Sequence, residues 1–377
     1  MLAGHLWVFA GEIEEVTGNP QPGDLVDVSS ATGRFCGRGL FNPHSKIRVR
    51  LLTFRDEAID EPFWMGRLTQ ALALRQRVVT DTTASRLVYG EGDFLPGLIV
   101  DRYADLLVMQ ALALGMDRRK EWLGLMLTKL TGAKAIYLRH DAGSRTLEGL
   151  PIMKGFLAGE HATTVEISEG KARFLVDVEH GQKTGWFCDQ RENRQAAASL
   201  APGAEVLEVF CHTGAFGIQA ARHGAQTILG LDSSAEALAM ARRHADLNGL
   251  ASICRYQEAD AFRELPKLER KGARYDLVIL DPPAFAKSGR AAPQALAGYK
   301  EINLRAMRLL RPGGFLVTCS CSHHVSEPHL WQTILQAARD AKKQVRVIEA
   351  RSQARDHPGL AAMPETRYLK CFILQVF

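Results

Sequence analysis

The stretch that decides the fold of this chain is Glu205-Val206-Leu207-Glu208-Val209-Phe210-Cys211-His212-Thr213-Gly214-Ala215-Phe216-Gly217. Its first five residues are mainly apolar and predict a short buried strand of a parallel sheet. Its two glycines let the backbone approach another backbone or a ligand, where a side chain would stand in the way. The residues that follow, 218–222, predict a helix, and a strand that turns into a helix in this way is a typical cofactor site.

A second apolar run, Thr227–Leu231, ends at the carboxylate of Asp232. That carboxylate falls about 20 residues beyond the turn, where doubly wound folds place the acid that binds a ribose. From Gly203 onward strands and helices alternate, which predicts a mostly parallel sheet. The predicted strands are Val206–Val209, Thr227–Leu231, Ser252–Tyr256, Leu277–Leu280, Gly314–Thr318, Val345–Glu349 and Cys371–Val376, and the clearest helix is Ala235–Leu247.

An acidic loop, Asp281-Pro282-Pro283-Ala284-Phe285, follows the apolar strand Leu277–Leu280. Ligands of open α/β sheets bind beyond the carboxyl ends of the strands, so Asp281 is expected at the same crevice as Asp232. The two prolines stiffen the backbone beside the carboxylate. A loop that merely ends a strand is the alternative interpretation.

A cysteine-containing segment, Thr318-Cys319-Ser320-Cys321-Ser322, follows another predicted strand that points at this crevice. A thiol there can act as a nucleophile through its thiolate. The commoner alternative is a buried structural cysteine. A metal site formed by Cys319, Cys321, His323 and His324 is disfavoured because no second cluster has ligand spacing, and no metal is predicted.

The composition is ordinary for a globular protein, with 377 residues, 46% apolar and 24% charged. The net charge of +5 permits a nucleic-acid partner without requiring one. No apolar run reaches the length of a membrane span and no secretory signal opens the sequence, so no membrane partner is predicted. Seven cysteines without such a signal predict reduced thiols and a cytoplasmic location.

Three domains are predicted from these patterns. Residues 1–60 show strand patterns at Leu25–Val28 and Lys46–Leu52, around the glycine-rich segment Gly33–Gly39, and predict a small barrel. Residues 61–180 predict a central α+β domain without chemistry of its own. Residues 181–377 predict a Rossmann-like domain, which contains the mostly parallel sheet. The cations of the barrel can form either a phosphate-binding face or an ordinary solvated face. They are Arg34, Arg38, Lys46, Arg48 and Arg50.

The segment before the parallel sheet is Gly185-Trp186-Phe187-Cys188-Asp189-Gln190-Arg191-Glu192-Asn193-Arg194. Asp189 is the type of residue that caps a helix N-terminus, and the pattern predicts a helix that begins there. That helix would carry Gln190, Arg191 and Arg194. An ordinary charged helix start is the alternative.

Four motifs spread over the chain carry a resemblance to a known family. They are Gly4–Phe9, Leu95–Tyr103, Lys183–Arg194 and Arg367–Lys370. Together they resemble the class I, S-adenosylmethionine-dependent RNA methyltransferases, and more closely the family of ribosomal RNA large-subunit methyltransferase I, which makes 5-methylcytosine in 23S ribosomal RNA. The resemblance implies an α/β chain whose C-terminal Rossmann-like methyltransferase domain follows an N-terminal PUA-like β-barrel and a central α+β domain.

The resemblance also implies a cofactor, S-adenosyl-L-methionine, and a partner, RNA. It places Glu208, Thr213 and Gly214 at the methionine end of the cofactor. It places Asp232 and Ser233 at the ribose, and Asp260 and Ala261 at the adenine. The residues at the border of the cofactor or the target base are Phe187, Gln190 and Asp281. Cys321 matches the nucleophile of the family. Relatives carry a leading strand before the first motif, so two interpretations are open: a barrel that lacks that strand, or a misassigned start codon.

The resulting hypothesis is attack by the Cys321 thiolate on carbon 6 of a cytosine, followed by methylation of carbon 5. Asp281 would hydrogen-bond the base near ring nitrogen 3, and either Asp281 or a water would remove the proton from carbon 5. Ala284 stands where another branch of such enzymes has a second cysteine, which fits a mechanism with one cysteine. The alternatives are methylation of a purine nitrogen with Cys321 structural, and a non-catalytic RNA-binding factor. A homodimer is left open.

Overall fold

The computed structural model describes residues 4–286 and 288–377, which form sheets of four, five and seven strands and a two-stranded hairpin. The strands are β1 (Trp7–Phe9), β2 (Leu25–Ser29), β3 (Phe35–Phe41), β4 (Ile47–Thr53), β5 (Ala84–Tyr89), β6 (Leu98–Tyr103), β7 (Leu106–Ala111), β8 (Ala135–His140), β9 (Met153–Ala158), β10 (Thr164–Glu169), β11 (Ala172–Asp177), β12 (Glu205–Val209), β13 (Thr227–Asp232), β14 (Cys254–Glu258), β15 (Tyr275–Leu280), β16 (Leu310–Ser320), β17 (Val345–Arg351) and β18 (Lys370–Val376). The α-helices are α1 (Glu61–Val78), α2 (Leu114–Asp117), α3 (Lys120–Thr131), α4 (Arg191–Ala198), α5 (Ala215–Arg222), α6 (Ala235–Leu247), α7 (Ala261–Arg270), α8 (Ala292–Leu309) and α9 (Glu327–Ala341).

Contacts along the chain divide the protein into two compact units. The first unit contains the described residues up to Gly170, together with Leu175–Cys188 and Arg355–Arg367. The second unit contains Lys171–Phe174, Asp189–Ala354 and Tyr368–Phe377. The division into three domains at residues 60 and 180 stays a prediction.

The first sheet of the first unit has the strand order β1-β4-β3-β2 and is antiparallel throughout. Strand β3, Phe35–Phe41, covers most of the glycine-rich segment Gly33–Gly39, for which no strand was predicted. Gly39 explains the difference, because a Cβ atom there would lie 2.3 Å from the carbonyl oxygen of Arg50 on β4. The glycine therefore allows close strand pairing instead of interrupting it.

Two of the five barrel cations, for which a phosphate-binding face and a solvated face were both open, are paired with carboxylates of the same unit. Arg38 Nε lies 2.5 Å from an oxygen of Asp27, and Arg50 Nη2 lies 3.0 Å from an oxygen of Glu148. This pairing reduces the positive charge that the face can offer to a polyanion.

The second sheet of the first unit has the order β5-β6-β7-β8-β9, in which only the pair β7 and β8 is parallel. The edge strand β9 was not predicted from the sequence. Inside this unit, Asp101 on β6 is fully buried and accepts two hydrogen bonds of 2.8 Å from the guanidinium of Arg86 on β5. Such a two-point contact satisfies a buried carboxylate well.

The second unit is built on the seven-stranded sheet, whose order is β14-β13-β12-β15-β16-β18-β17. The first five of these strands are parallel, and β18 runs antiparallel to both β16 and β17. Apolar residues of α7, α8 and α9, such as Leu265, Ile302 and Ile334, pack with the strands into one buried core. The predicted α/β fold class is confirmed, and the parallel order places the ends of β12, β13 and β15 side by side.

No helix within residues 4–286 and 288–377 combines the length and the apolar character needed to cross a membrane. In the same residues, no group of three or more His, Cys, Asp or Glu side chains is arranged to hold a metal ion.

We expect Arg86→Met to lower the free energy of unfolding by about 3–5 kcal/mol, because it leaves the buried Asp101 carboxylate without its ionic partner. Urea denaturation measures the effect. The matched control is Arg102→Met on the same strand as Asp101, where the arginine is exposed and donates to the carbonyl of Ala104, and a change within about 0.5 kcal/mol is expected. Equal denaturation midpoints for the two variants would contradict a stabilising ion pair between Arg86 and Asp101.

Candidate active site at the ends of the parallel strands

The turn after β12 holds its backbone in an unusual conformation. Phe210, His212 and Gly214 have φ values of +61°, +49° and +75°. Left-handed backbone is unfavourable for residues with a Cβ and is found preferentially at functional sites. The turn is held by hydrogen bonds from the amide of Cys211 to the carbonyl of Leu231 at 3.0 Å, and from the amide of Gly214 to the carbonyl of Cys211 at 2.7 Å. The strain is therefore fixed by the neighbouring strand β13.

Glu208, predicted to line the cofactor, is 2% exposed and connects β12 to the N-terminus of α5. Its carboxylate accepts hydrogen bonds from the amides of Phe216 at 3.2 Å and Gly217 at 3.0 Å. A Cβ atom at Gly217 would lie 2.6 Å from a carboxylate oxygen, so glycine is required there. The pKa of Glu208 is raised to about 8, mainly by burial; the two amides act against this rise, and the charges of Asp281 and Asp232 add to it.

The acid at the end of β13, Asp232, fixes the backbone on both sides of the crevice. One carboxylate oxygen accepts from the amide of His212 at 2.8 Å, and the other accepts from the amide of Ser234 at 2.9 Å. Each oxygen keeps lone pairs beyond these bonds, so the group can also accept from the hydroxyls of a ligand. Ser233 is exposed beside it.

Asp260 and Ala261 stand at the next strand end, after β14. Asp260 is exposed and is the N-cap of α7, where its side chain accepts from the amide of Arg263 at 3.1 Å. Ala261 is buried at the first position of that helix. Helix N-termini favour negative groups, and this explains the position of the acid independently of any ligand.

The carboxylate of Asp281 is held by a chain of polar side chains. Gln190 Nε2 donates to Asp281 at 2.8 Å, and Asn193 donates to the side-chain oxygen of Gln190 at 2.7 Å. Arg351 Nε donates to Asn193 at 2.9 Å. Gln190 and Asn193 are buried, so the network that orients Asp281 is preformed.

The predicted N-cap role of Asp189 is wrong. A short 3₁₀ turn, Cys188–Gln190, precedes α4, and Gln190 occupies the N-cap position. The side chain of Asp189 is buried and accepts a hydrogen bond from the hydroxyl of Tyr368. A buried carboxylate needs a strong donor, and the phenol supplies it in place of a helix amide.

Cys321 lies at the end of β16 beside the loop that contains Asp281. Its thiol donates to the carbonyl oxygen of Pro282 over a distance of 3.9 Å between sulfur and oxygen. Cys321 and Cys36 are half-exposed, whereas the other five cysteines of the chain are buried, and all seven are free. The neighbouring Cys319 is fully buried, so the structure separates an accessible thiol from an enclosed one.

An aromatic cluster next to the loop was not predicted as part of the site. The ring of Phe285 lies 6.1 Å from that of Phe210, 5.8 Å from that of Phe262 and 4.8 Å from that of Tyr299, measured between centroids. Phe262 is 42% exposed, which leaves an aromatic face available to a planar ligand. The aromatic residue in the Asp-Pro-Pro-Ala-Phe motif was the sequence signal for this cluster.

The structure gathers most of the predicted residues at neighbouring strand ends. Glu208, Asp232 and Asp281 are close enough to act electrostatically on one another, since both aspartates raise the pKa of Glu208. Phe187 belongs to the first unit, where Lys183 Nζ lies 4.6 Å from the centroid of its ring. The negative charges of Asp232 and Asp281 fit a ligand that carries positive charge.

Comparisons with known proteins agree with this architecture. A family model described as S-adenosylmethionine-dependent methyltransferase matches residues 151–364, and a model described as a PUA-like domain matches residues 1–54. A protein from Shewanella denitrificans named ribosomal RNA large subunit methyltransferase I is 43% identical, over 99% of this chain and 96% of the relative. A protein of the same name from Aeromonas hydrophila is 40% identical, over 100% of this chain and 96% of the relative.

Solved structures show the same fold at lower identity. A candidate SAM-dependent methyltransferase from Streptococcus mutans has a TM-score of 0.83 at 19% identity and covers 99% of this chain and 96% of its own. A candidate methyltransferase complexed with SAH has a TM-score of 0.84, with the same identity and coverage. The predicted fold class, with a PUA-like domain before a Rossmann-like methyltransferase domain, is confirmed.

We expect the stability of the ligand-free protein to fall with pH because of Glu208. The folded carboxyl keeps its proton up to about pH 8, whereas the unfolded carboxyl loses it near 4.5. The contribution of Glu208 to the free energy of unfolding is therefore fully present below pH 4.5 and is lost as pH rises through 8. Glu208→Gln has no such proton, so the wild type should lose on the order of a few kcal/mol relative to this variant between pH 5 and 8.

Urea denaturation of both proteins at the two pH values measures this difference. Glu205→Gln is the control, because that glutamate is half-exposed at the start of the same strand. The same pH-dependent difference in the control variant, or none in Glu208→Gln, would refute a raised pKa at Glu208.

Proposed function

We propose that this chain, a member of the ribosomal RNA large subunit methyltransferase I family of S-adenosylmethionine-dependent methyltransferases, methylates carbon 5 of a cytosine in 23S ribosomal RNA. The observation that carries the proposal is the position of the half-exposed Cys321 thiol, 3.9 Å from the carbonyl oxygen of Pro282 and thus beside the Asp281 loop. A nucleophile and an acid at neighbouring strand ends are what chemistry on a pyrimidine ring requires.

S-adenosylmethionine fits the acidic strand ends. The proposed contacts with the methionine end of the cofactor are Glu208, Thr213 and Gly214. Those with the ribose are Asp232 and Ser233, and those with the adenine are Asp260 and Ala261. The residues proposed to border the cofactor or the target base are Phe187, Gln190 and Asp281. The lone pairs that remain on Asp232 suit the two ribose hydroxyls. When bound, the cofactor supplies an electrophilic methyl group on a positively charged sulfur, and the negative charges of Asp232 and Asp281 favour that charge.

Cys321 makes carbon 5 reactive. Its thiolate forms a bond to carbon 6 of the cytosine, and the displaced electron pair moves onto the ring, so that carbon 5 can take a methyl group. Asp281, held by Gln190 at 2.8 Å, hydrogen-bonds the cytosine edge near ring nitrogen 3 and stabilises the adduct. A base, either Asp281 or a water, then takes the proton from carbon 5, and the bond between sulfur and carbon 6 breaks to return the thiolate.

The target base must leave its stack to reach the thiol. The aromatic cluster of Phe210, Phe262 and Phe285 offers ring faces next to the Asp281 loop. Stacking on aromatic side chains is a common way to hold a base removed from a helix. The PUA-like domain matched by residues 1–54 is the proposed second contact with RNA.

A purine nitrogen is the second candidate target, because the Asp-Pro-Pro-Ala-Phe loop is also compatible with methylation of an amino group or a ring nitrogen. In that case Cys321 is structural. Mass spectrometry of nucleosides from methylated ribosomal RNA distinguishes the two, since the product is then a methylated guanine or adenine and not 5-methylcytosine.

We expect RNA that contains 5-fluorocytosine to trap the wild-type protein covalently, because fluorine cannot leave carbon 5 as a proton does. Cys321→Ala should form no adduct, since the bond to carbon 6 needs the thiolate. Denaturing gel electrophoresis with labelled RNA and cofactor measures the adduct. The control is Cys36→Ala, which removes the other half-exposed thiol and should trap normally.

An adduct that persists in Cys321→Ala would assign the nucleophile elsewhere. The absence of an adduct with wild-type protein, accompanied by a methylated purine, would favour the second candidate target.

We expect Asp232→Ala to weaken S-adenosylmethionine binding at least about tenfold, because the loss of charge-assisted hydrogen bonds to the ribose is worth roughly 1.5–3 kcal/mol. Isothermal titration calorimetry measures the affinity. The control is Glu236→Ala, an exposed acid in the first turn of α6. Equal affinities for wild type and Asp232→Ala, with native circular dichroism, would exclude the ribose contact.

A further inference from the structure

Lys370 is attached to the residues on both sides of Cys321. It is the first residue of β18, and its backbone pairs with Ser320, which precedes the cysteine. Its ammonium donates a hydrogen bond of 2.7 Å to the carbonyl of Ser322, which follows the cysteine. One lysine thus spans the strand end that carries the thiol.

This ammonium is in an unusual environment for a lysine, since the residue is only 8% exposed. Burial lowers the pKa of Lys370 to about 8, and the charges of Cys321 and Glu327 act in the opposite direction. A buried cation is costly unless an anion or hydrogen bonds compensate it. The Ser322 carbonyl supplies one hydrogen bond, and a thiolate at Cys321 would supply an anion.

The other groups around this pair come from four elements. Glu327 begins α9 and favours the charged lysine. Tyr299 on α8 is buried, which raises the pKa of its phenol and keeps it neutral, and Cys321 contributes to the same shift. Asp281, at the end of β15, carries the acid of the neighbouring loop.

The segment after β16 adds His323 and His324, which are exposed, and the ring of His323 lies 5.4 Å from that of Tyr368. Lys370 is thus the buried cation of this group, whereas the two imidazoles are in contact with solvent.

We propose that Lys370 is a positioning residue that keeps Cys321 in its thiolate form and in place beside the Asp281 loop. The inference rests on the proposed nucleophilic role of Cys321. The thiol gives its proton to water, and the ammonium holds the resulting negative charge on sulfur. Formation of the bond to carbon 6 removes that charge from sulfur, and cleavage of the bond returns it, so the same lysine assists attack and departure.

Alkylation of Cys321 by iodoacetamide, followed by peptide mass spectrometry across a pH series, tests this role without RNA or cofactor. In the wild type, the pH at which the alkylation rate reaches half its maximum, the midpoint, should be lower for Cys321 than for Cys36 in the same sample. In Lys370→Met, the rate at pH 7 should fall about tenfold and the midpoint should rise by about one pH unit. At pH values above the midpoint, the rates of variant and wild type should converge, because accessibility is unchanged.

Two further variants complete the test. Lys370→Arg keeps the cation and should retain most of the wild-type profile. Lys267→Met removes an exposed lysine that pairs with Glu264 on α7 and should leave the profile unchanged. A purely structural role would lower the rate at every pH or leave the midpoint in place.

A wild-type midpoint for Cys321 at or above that of Cys36 overturns the inference, and it does so even if Lys370→Met fails to fold. An unchanged midpoint in a folded Lys370→Met also overturns it. Failure of the fluorocytosine adduct in wild type is a separate result, which removes the cytosine reaction but leaves the alkylation readout intact.

Discussion

The contact between the Glu208 carboxylate and the first amides of α5 is the constraint on which the rest of the site depends. It fixes the angle at which the chain passes from β12 into the helix, and Gly217 is the residue that permits it. The left-handed backbone at Phe210 and His212 lies in the same turn between β12 and α5. Asp232 then bonds the amide of His212, so the second strand end is held in position by the first.

The parallel core could be predicted well because its strands are short apolar runs between helices, and such runs are recognisable without tertiary information. Strand β3 was missed because glycines usually end a strand, whereas Gly39 here meets the backbone of β4. The Asp189 cap was wrong because the competing donor, Tyr368, lies far away in the sequence. Local patterns contain no record of such distant partners.

The site residues also divide into those that could be predicted from local sequence and those that could not. Cys321, Asp281 and Asp232 follow apolar strands, so their places could be derived from the sequence and a rule about strand ends. Lys370 could not be identified, because its relation to Cys321 arises from antiparallel pairing of β18 with β16. The return of residues 355–367 to the first unit likewise has no local signal. The cation near Cys321 therefore follows from the strand topology and could not be read from a local sequence motif.

The position of β18 between β16 and β17 has a consequence for biosynthesis. The ribosome makes β18 after the other six strands of its sheet, so two strands present unpaired edges while the nascent polypeptide emerges. Exposed edges of this kind invite association with other chains. Only when the late strand inserts does the ammonium of Lys370 reach Ser322, so the proposed support for a thiolate at Cys321 forms together with the completed sheet.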